Sequence, residues 1–335
     1  MPARLFERLR GARERRWNAA RPYLVGVLIA AIVIVAAAVA STTQFGGARA
    51  ASLPARDLTN GARAVHVRGF DLWYREVGPV NPAAAKGRPV IVVIHGGPGM
   101  SDHYFNDSLD FLADRYRVVY YDQRGSGFSQ IRPNPSLYRF SNLAGDLDAL
   151  RRRVIHADKL LLVAHSFGGP VAMSYAARYP SHVAGFILVS SMPARDYTQK
   201  PKGSPPFDDW FSHQPATVAD HELLRSYMSD ISDTLYDPSD GIAPDIGYLS
   251  YLPSRMLWYT AIGYDFAGAL SRMRVPSLII YGSADTLLPS VPQSLHSLLS
   301  GSQLVRFNAS GHWAFLEEPG RFRSVVGAFV AKSFP

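Results

Sequence analysis

The sequence predicts an α/β protein, a mostly parallel central sheet with helices on both faces. Three observations predict it. Six short apolar runs, at residues 89–94, 117–121, 160–163, 186–189, 277–281 and 303–307, have the length of strands. Helix-compatible segments, including 142–154, 171–178 and 321–330, lie between or after most of them. The alternation is interrupted once, between 192 and 268, where no strand pattern is visible. Strands that are apolar on both sides and alternate with helices belong to a parallel sheet covered on both faces.

Composition agrees with a large core. The chain has 335 residues, of which 47% are hydrophobic and 19% charged, the balance of a folded protein and not of a disordered one. It has no cysteine, which excludes disulfides, zinc–thiolate sites and a thiol nucleophile. The net charge of +8 is mostly local. Residues 1–22 carry seven arginines and two glutamates, a balance of +5, leaving +3 for everything else. No basic patch remains to argue for nucleic acid.

In chain order, the basic tail (1–22) runs into residues 23–40, eighteen positions without a charge and dominated by Val, Ile, Leu and Ala. As a helix this stretch would be about 27 Å long, near the lower limit for crossing a bilayer. Arginines before it and none within it predict a cytoplasmic N-terminus and an exported remainder. It reads as an uncleaved transmembrane signal anchor, or as a long signal peptide cut after Ala40 or Ala50, both of which follow a small-x-small pattern. Residues 41–62, rich in Ser, Thr, Gly, Ala and Pro, read as a linker. Two strand-like runs at 64–67 and 72–76, joined through Gly69, predict a hairpin at a sheet edge. The core is expected over 63–191 and 269–335. The 192–268 interval, with Trp210, Phe211, Tyr227, Tyr236, Tyr248, Tyr251, Trp258 and Tyr259, reads as a lid over the carboxyl ends of the strands.

The chemistry centres on Leu-Leu-Leu-Val-Ala-His-Ser-Phe-Gly-Gly-Pro, residues 160–170. A buried strand that stops at Ser166 and is followed at once by glycines and a helix presents a serine hydroxyl at the tip of a sharp turn. Ala164 stands where the small-x-Ser-x-Gly pattern usually has glycine, a difference of one methyl. A serine needs a base, and the base needs an orienting acid. Both follow in order. Asp285 comes just after the 277–281 run and His312 just after 303–307. Taken singly, Asp285 could cap a helix and His312 could be a packed surface histidine; three residue types in the required order at three strand ends favour Ser166, His312 and Asp285 as nucleophile, base and orienter. His165 and His95 are weaker candidates for the base, one adjacent to the nucleophile and the other beside the glycine loop. Acyl transfer also needs fixed donors for an oxyanion. The backbone N–H of Phe167 supplies one, and the loop His95-Gly96-Gly97-Pro98-Gly99 the other, with Gly97 as donor because Pro98 has no N–H.

His-Gly-Gly-Pro-Gly-Met-Ser-Asp-His-Tyr (95–104), Tyr-Asp-Gln-Arg-Gly-Ser-Gly-Phe-Ser (121–129), the Ser166 turn, Gly-Ser-Ala-Asp285 and Gly311-His312 together resemble the prolyl aminopeptidase (proline iminopeptidase) branch of the α/β-hydrolase superfamily. The resemblance covers roughly 64–332 apart from the lid. It implies a sheet with a helical lid, no metal or other cofactor, and a serine peptidase that releases an N-terminal residue, often proline, from a short peptide. Asp122-Gln123-Arg124-Gly125 looks structural, with the arginine fixing a loop beside the site.

Acidic lid residues bind the free amine in such enzymes, and residues 192–268 hold eleven acids and five bases. Turn and cap positions account for several of the acids, Glu222 falls in no recognisable motif, and the substrate-binding residues stay unassigned. Two other readings remain. The same machinery serves esters, lactones and carbon–carbon bonds, or the chain could be a silent membrane-anchored binding protein on a hydrolase scaffold. Oligomeric state is open.

Overall fold

The computed structural model describes residues 63–132, 134–196, 234–239, 241, 242, 244, 245, 250, 257, 263–285 and 290–335. The basic tail, the apolar stretch 23–40, the linker and most of the 192–268 interval lie outside the described residues. Among the described residues no helix is long and apolar enough to cross a membrane.

Among the described residues eight strands form one sheet: β1 (Arg63–Val67), β2 (Phe70–Val77), β3 (Val90–Ile94), β4 (Val118–Tyr121), β5 (Leu160–His165), β6 (Val183–Val189), β7 (Ser277–Gly282) and β8 (Gln303–Phe307). Their order is β1-β2-β4-β3-β5-β6-β7-β8. The first two are an antiparallel hairpin, β2 is antiparallel to β4, and every pairing from β4 to β8 is parallel. The hairpin turn is Arg68-Gly69, both at positive φ (49° and 83°), the two-residue geometry that matches strand twist.

Helices cover both faces. They are α1 (Phe140–Leu150), α2 (Gly168–Arg178), α3 (Ala267–Leu270), α4 (Val291–Leu298), α5 (Ala314–Glu317) and α6 (Pro319–Ser333). The period of two along each strand divides the core. Val90, Val92 and Ile94 of β3, with Leu160, Leu162 and Ala164 of β5, pack with Leu143 and Leu147 of α1 and Val171 and Tyr175 of α2. Ile91 and Val93, with Leu161 and Val163, face the other way onto Phe105, Phe315 and Phe322, Val326 and Phe329 of α6. All five residues of β3 are buried, as a central parallel strand requires.

The helix expected over 142–154 is α1 followed by a wider turn, Arg151–Ile155, which ends at His156 with φ 50°. The 303–307 run is an edge strand in which only Phe307 is buried, so it is covered less completely than its apolar character suggests.

Candidate active site

Ser166 follows β5 directly and has φ 53°, a left-handed conformation that costs a residue with a Cβ on the order of 1–3 kcal/mol. The turn is fixed on both sides. Ser166 N–H donates to Val189 O at 3.1 Å, and its carbonyl accepts from Gly169 and Met192, each at 3.0 Å. Gly168 explains the glycine two residues on, since a Cβ there would sit 2.3 Å from the carbonyl oxygen of Ile94. The first turn of α2 therefore packs against the backbone of β3 with no room for a side chain.

The loop after β3 lies against this serine. A Cβ at Gly96 would come within 2.9 Å of Ser166 Cβ and 3.0 Å of His165 O. Gly97 has φ 113°, and a Cβ on it would meet the backbone nitrogens of Gly99 and Met100 at 2.8 Å, so the loop's path is open to glycine alone. Gly96 N–H donates to the Tyr104 hydroxyl, which removes it as a donor to any ligand. Phe167 is fully buried, its ring stacked on Phe140 of α1 at 5.3 Å.

Asp285 and His312 meet. Asp285 Oδ2 is 3.1 Å from His312 Nδ1, and the two side chains are 6% and 4% exposed. A carboxylate accepts only, so His312 Nδ1 carries the hydrogen and Nε2 is left to act as a base. The histidine loop is held by other groups. Glu317 Oε2 accepts from the N–H of Gly311 (2.9 Å) and Trp313 (3.1 Å), and its Oε1 accepts from Tyr236 N–H at 2.5 Å. Thr234 O accepts from His312 N–H, and Thr234 Oγ1 from the Trp313 indole, both at 2.7 Å. The segment 234–236 thus sits directly on the histidine loop.

The other two histidines are occupied. His95 is fully buried, its Nε2 accepting from Gln123 N–H at 3.0 Å and its Nδ1 2.9 Å from Gly96 O. Burial pulls its pKa down to about 4. His165 packs between Tyr104, Phe105, Trp313 and Phe315 and lies 4.7 Å from the His312 ring, centroid to centroid. Burial, then the nearby His312, hold its pKa well below the usual imidazole range. Both rings stay neutral, and their nitrogens are engaged by Gln123, Gly96, Tyr104 and His312.

Asp122 and Arg124 are structural. Asp122 is fully buried and accepts from the N–H of Asp102 (2.9 Å) and Phe128 (2.8 Å). Arg124 forks onto Asp146 of α1 with two hydrogen bonds of 2.6 Å and donates to Leu137 O at 2.9 Å, clamping the loop to the helix. Among the described residues no cluster of three or more His, Cys, Asp or Glu side chains could hold a metal ion.

Sequence patterns missed Tyr104, Thr234 and Glu317, which hydrogen-bond the loops bearing Gly96 and His312. Tyr104 falls inside the quoted 95–104 motif, but nothing local separates it from a core aromatic.

With this geometry in view, the pattern described as alpha/beta hydrolase fold matches residues 89–228. The chain has the α/β-hydrolase fold. It is 28% identical over 261 residues to a proline iminopeptidase of Saccharolobus solfataricus, covering 72% of this chain and 84% of that one. The hydrolase also superposes on a putative aryl esterase from Burkholderia cenocepacia with TM-score 0.65 and 26% identity, over 81% of this chain and 98% of the other. An esterase from Rhodococcus sp. matches with TM-score 0.67 and 24% identity, over 82% and 99% of the two chains, a likeness of fold. It is a serine hydrolase similar to the proline iminopeptidases.

Proposed function

We propose that this hydrolase is an aminopeptidase of the proline type that releases N-terminal residues from short peptides. Ser166 is the nucleophile, His312 its general base, and Asp285 the group that orients the imidazole and stabilises its charged form. The N–H groups of Gly97 and Phe167 receive the oxyanion. His312 Nε2 takes the serine proton as Oγ attacks the scissile carbonyl, then returns it to the leaving amine; water attacks the acyl-enzyme by the same route. The observation that carries the reading is the buried Asp285–His312 pair at the sheet edge on which Ser166 stands in a left-handed turn. Relatives such as the Saccharolobus proline iminopeptidase favour the peptidase substrate.

The 192–268 interval serves as the lid over this edge, and its excess of acids suits a substrate with a free amine. Residues 23–40, preceded by the arginine tail, hold the catalytic domain outside the cytoplasm as an anchor or export it as a cleaved signal.

The test is a panel of aminoacyl-β-naphthylamides, with proline among them. Turnover that Ser166→Ala abolishes supports the reading. Turnover of aryl or alkyl esters alone would move the assignment to an esterase, which the likeness to the Burkholderia aryl esterase favours as the second reading.

A further inference from the structure

Tyr104 and His165 carry no part of the reaction as written, yet they join all three loops that do. The Tyr104 hydroxyl accepts from Gly96 N–H on the loop after β3 and lies 3.1 Å from His165 Nδ1. His165 Nε2 is 3.0 Å from the backbone oxygen of His312, and His165 is the residue immediately before Ser166.

Proton positions in this chain follow from its two ends. A carbonyl oxygen only accepts, so His165 Nε2 carries a hydrogen and donates it to His312 O. Burial keeps the ring neutral, which leaves Nδ1 a bare acceptor. The phenol, kept protonated by burial, donates to Nδ1 and accepts from Gly96 N–H. Every donor therefore points one way, from Gly96 through Tyr104 and His165 to His312, an arrangement in which each bond polarises the next.

We propose that Tyr104 and His165 are positioning residues that fix the oxyanion loop in register with the loop of the base, through a one-way chain of hydrogen bonds passing behind Ser166. The proposal rests on the roles given above to Ser166, His312 and Gly97. Two consequences follow. With Gly96 N–H turned onto Tyr104, the loop presents the next amide, Gly97, to the substrate. A shift of the His312 backbone is transmitted to the oxyanion loop through rigid, buried rings and not through solvent.

Tyr104→Phe is the decisive variant, because it removes one hydroxyl and keeps the ring that stacks on Phe105 at 4.7 Å and meets Trp313 at 5.3 Å. The expected result is a fall in kcat of about 10- to 100-fold with KM within about threefold, the loss of an oxyanion contact and not of substrate binding. Labelling of Ser166 by a fluorophosphonate slows in parallel. His165→Gln, whose amide can accept from Tyr104 and donate to His312 O, retains more activity than His165→Leu. A purely structural role would instead lower the melting temperature and leave kcat per folded molecule unchanged, and that result overturns the proposal.

Two readouts stand apart from the hydrolase reading. Nitrogen spectra of labelled histidine show His165 as the Nε2–H tautomer throughout pH 5–9, and the Gly96 amide exchanges faster in Tyr104→Phe than in wild type. A His165 that carries its hydrogen on Nδ1, or a Gly96 amide indifferent to Tyr104→Phe, removes the chain itself. Failure of the wild type to label, with both of these intact, would count against Ser166 as nucleophile and so against the catalytic roles on which the positioning claim depends.

Discussion

Asp285 Oδ2 lies 3.1 Å from His312 Nδ1, although the two residues belong to loops that follow different strands, β7 and β8. The sheet makes the pair possible. β7 and β8 are parallel neighbours, so the loops at their carboxyl ends emerge side by side, and Ser283 N–H and Ala284 N–H tie one loop to the other through Phe307 O (2.7 Å) and Ser310 O (3.1 Å). Asp285 reaches the imidazole from a backbone already fixed in place.

Asp285→Asn tests what the carboxylate contributes. The amide can present its N–H to Nδ1 and hold the wrong tautomer, with the hydrogen on Nε2 where a base is needed. A drop in kcat of about 10⁴-fold is expected, with KM nearly unchanged and the melting temperature close to wild type. Steady-state kinetics on the best substrate of the panel measure it. A loss below tenfold would mean that the carboxylate does not orient the base.

Much of this was readable in advance because it is local. The strands at 89–94, 160–163 and 277–281 announce themselves by length and composition, and Ser166, Asp285 and His312 each follow such a run within a few residues. What the sequence hides is tertiary. The helix-compatible segment read from the sequence starts at residue 171, after two glycines and a proline, yet α2 begins at Gly168. The close approach to Ile94 O demands a residue without Cβ there, and Pro170 in the first turn has no intrahelical partner to lose. Tyr104, 61 residues from its partner His165, and Glu317, 81 residues from Tyr236, leave no periodic trace.

The close approach at Gly168 gives a second prediction. Gly168→Ala places a methyl 2.3 Å from a backbone oxygen of the central strand, where no side-chain rotation relieves it. A loss of roughly 1–3 kcal/mol in urea unfolding, or failure to fold, is expected. Ala164→Gly, which restores the commoner small residue inside β5, costs at most about 1 kcal/mol and keeps activity. Equal stability of the two variants would contradict the packing described.

Glu317 offers a third. Its carboxylate receives three N–H groups, from Gly311, Trp313 and Tyr236, and so ties the 234–236 segment to the histidine loop. Glu317→Ala leaves these donors without their acceptor and is expected to cost roughly 1–3 kcal/mol and to lower kcat at least tenfold. Glu317→Gln, which keeps one carbonyl oxygen, falls between alanine and wild type. Kinetics of the three proteins, side by side with urea curves, decide whether the anchor acts on the base or on stability alone.

The Arg124–Asp146 clamp is buried, with side chains 3% and 2% exposed. Burial pushes the Asp146 carboxyl up while its bonds to Arg124 pull it back, the signature of a charge that depends on its partner. Asp146→Leu alone should lower stability by about 3–5 kcal/mol, since it strands the Arg124 cation in the core, whereas Arg124→Met costs less, because Arg68 Nε stays 3.4 Å from Asp146. The double variant should be more stable than either single one. A double-mutant cycle from urea midpoints reads the coupling, and strict additivity would deny that the pair is held by its charges.

Acid provides the last prediction, through His95. Its pKa is about 4 in the folded protein against 6.5 for the free side chain, because burial of the ring outweighs the opposing pull of Gly96 O and Asp102. Below pH 6.5 the unfolded chain takes up a proton that the folded chain refuses. The stability due to a neutral His95 is therefore whole above pH 6.5, declines as pH falls, and is gone below about 4. The total is on the order of 3 kcal/mol. His165 adds in the same direction, whereas Asp122, pushed up by burial and by Asp102, opposes it. Comparison with His95→Gln isolates the one group. The variant is less stable than wild type at pH 8, and the gap narrows between pH 6.5 and 4 by up to about 1.4 kcal/mol per pH unit. A gap that stays constant over that window would show that His95 is already protonated, or exposed, in the folded hydrolase.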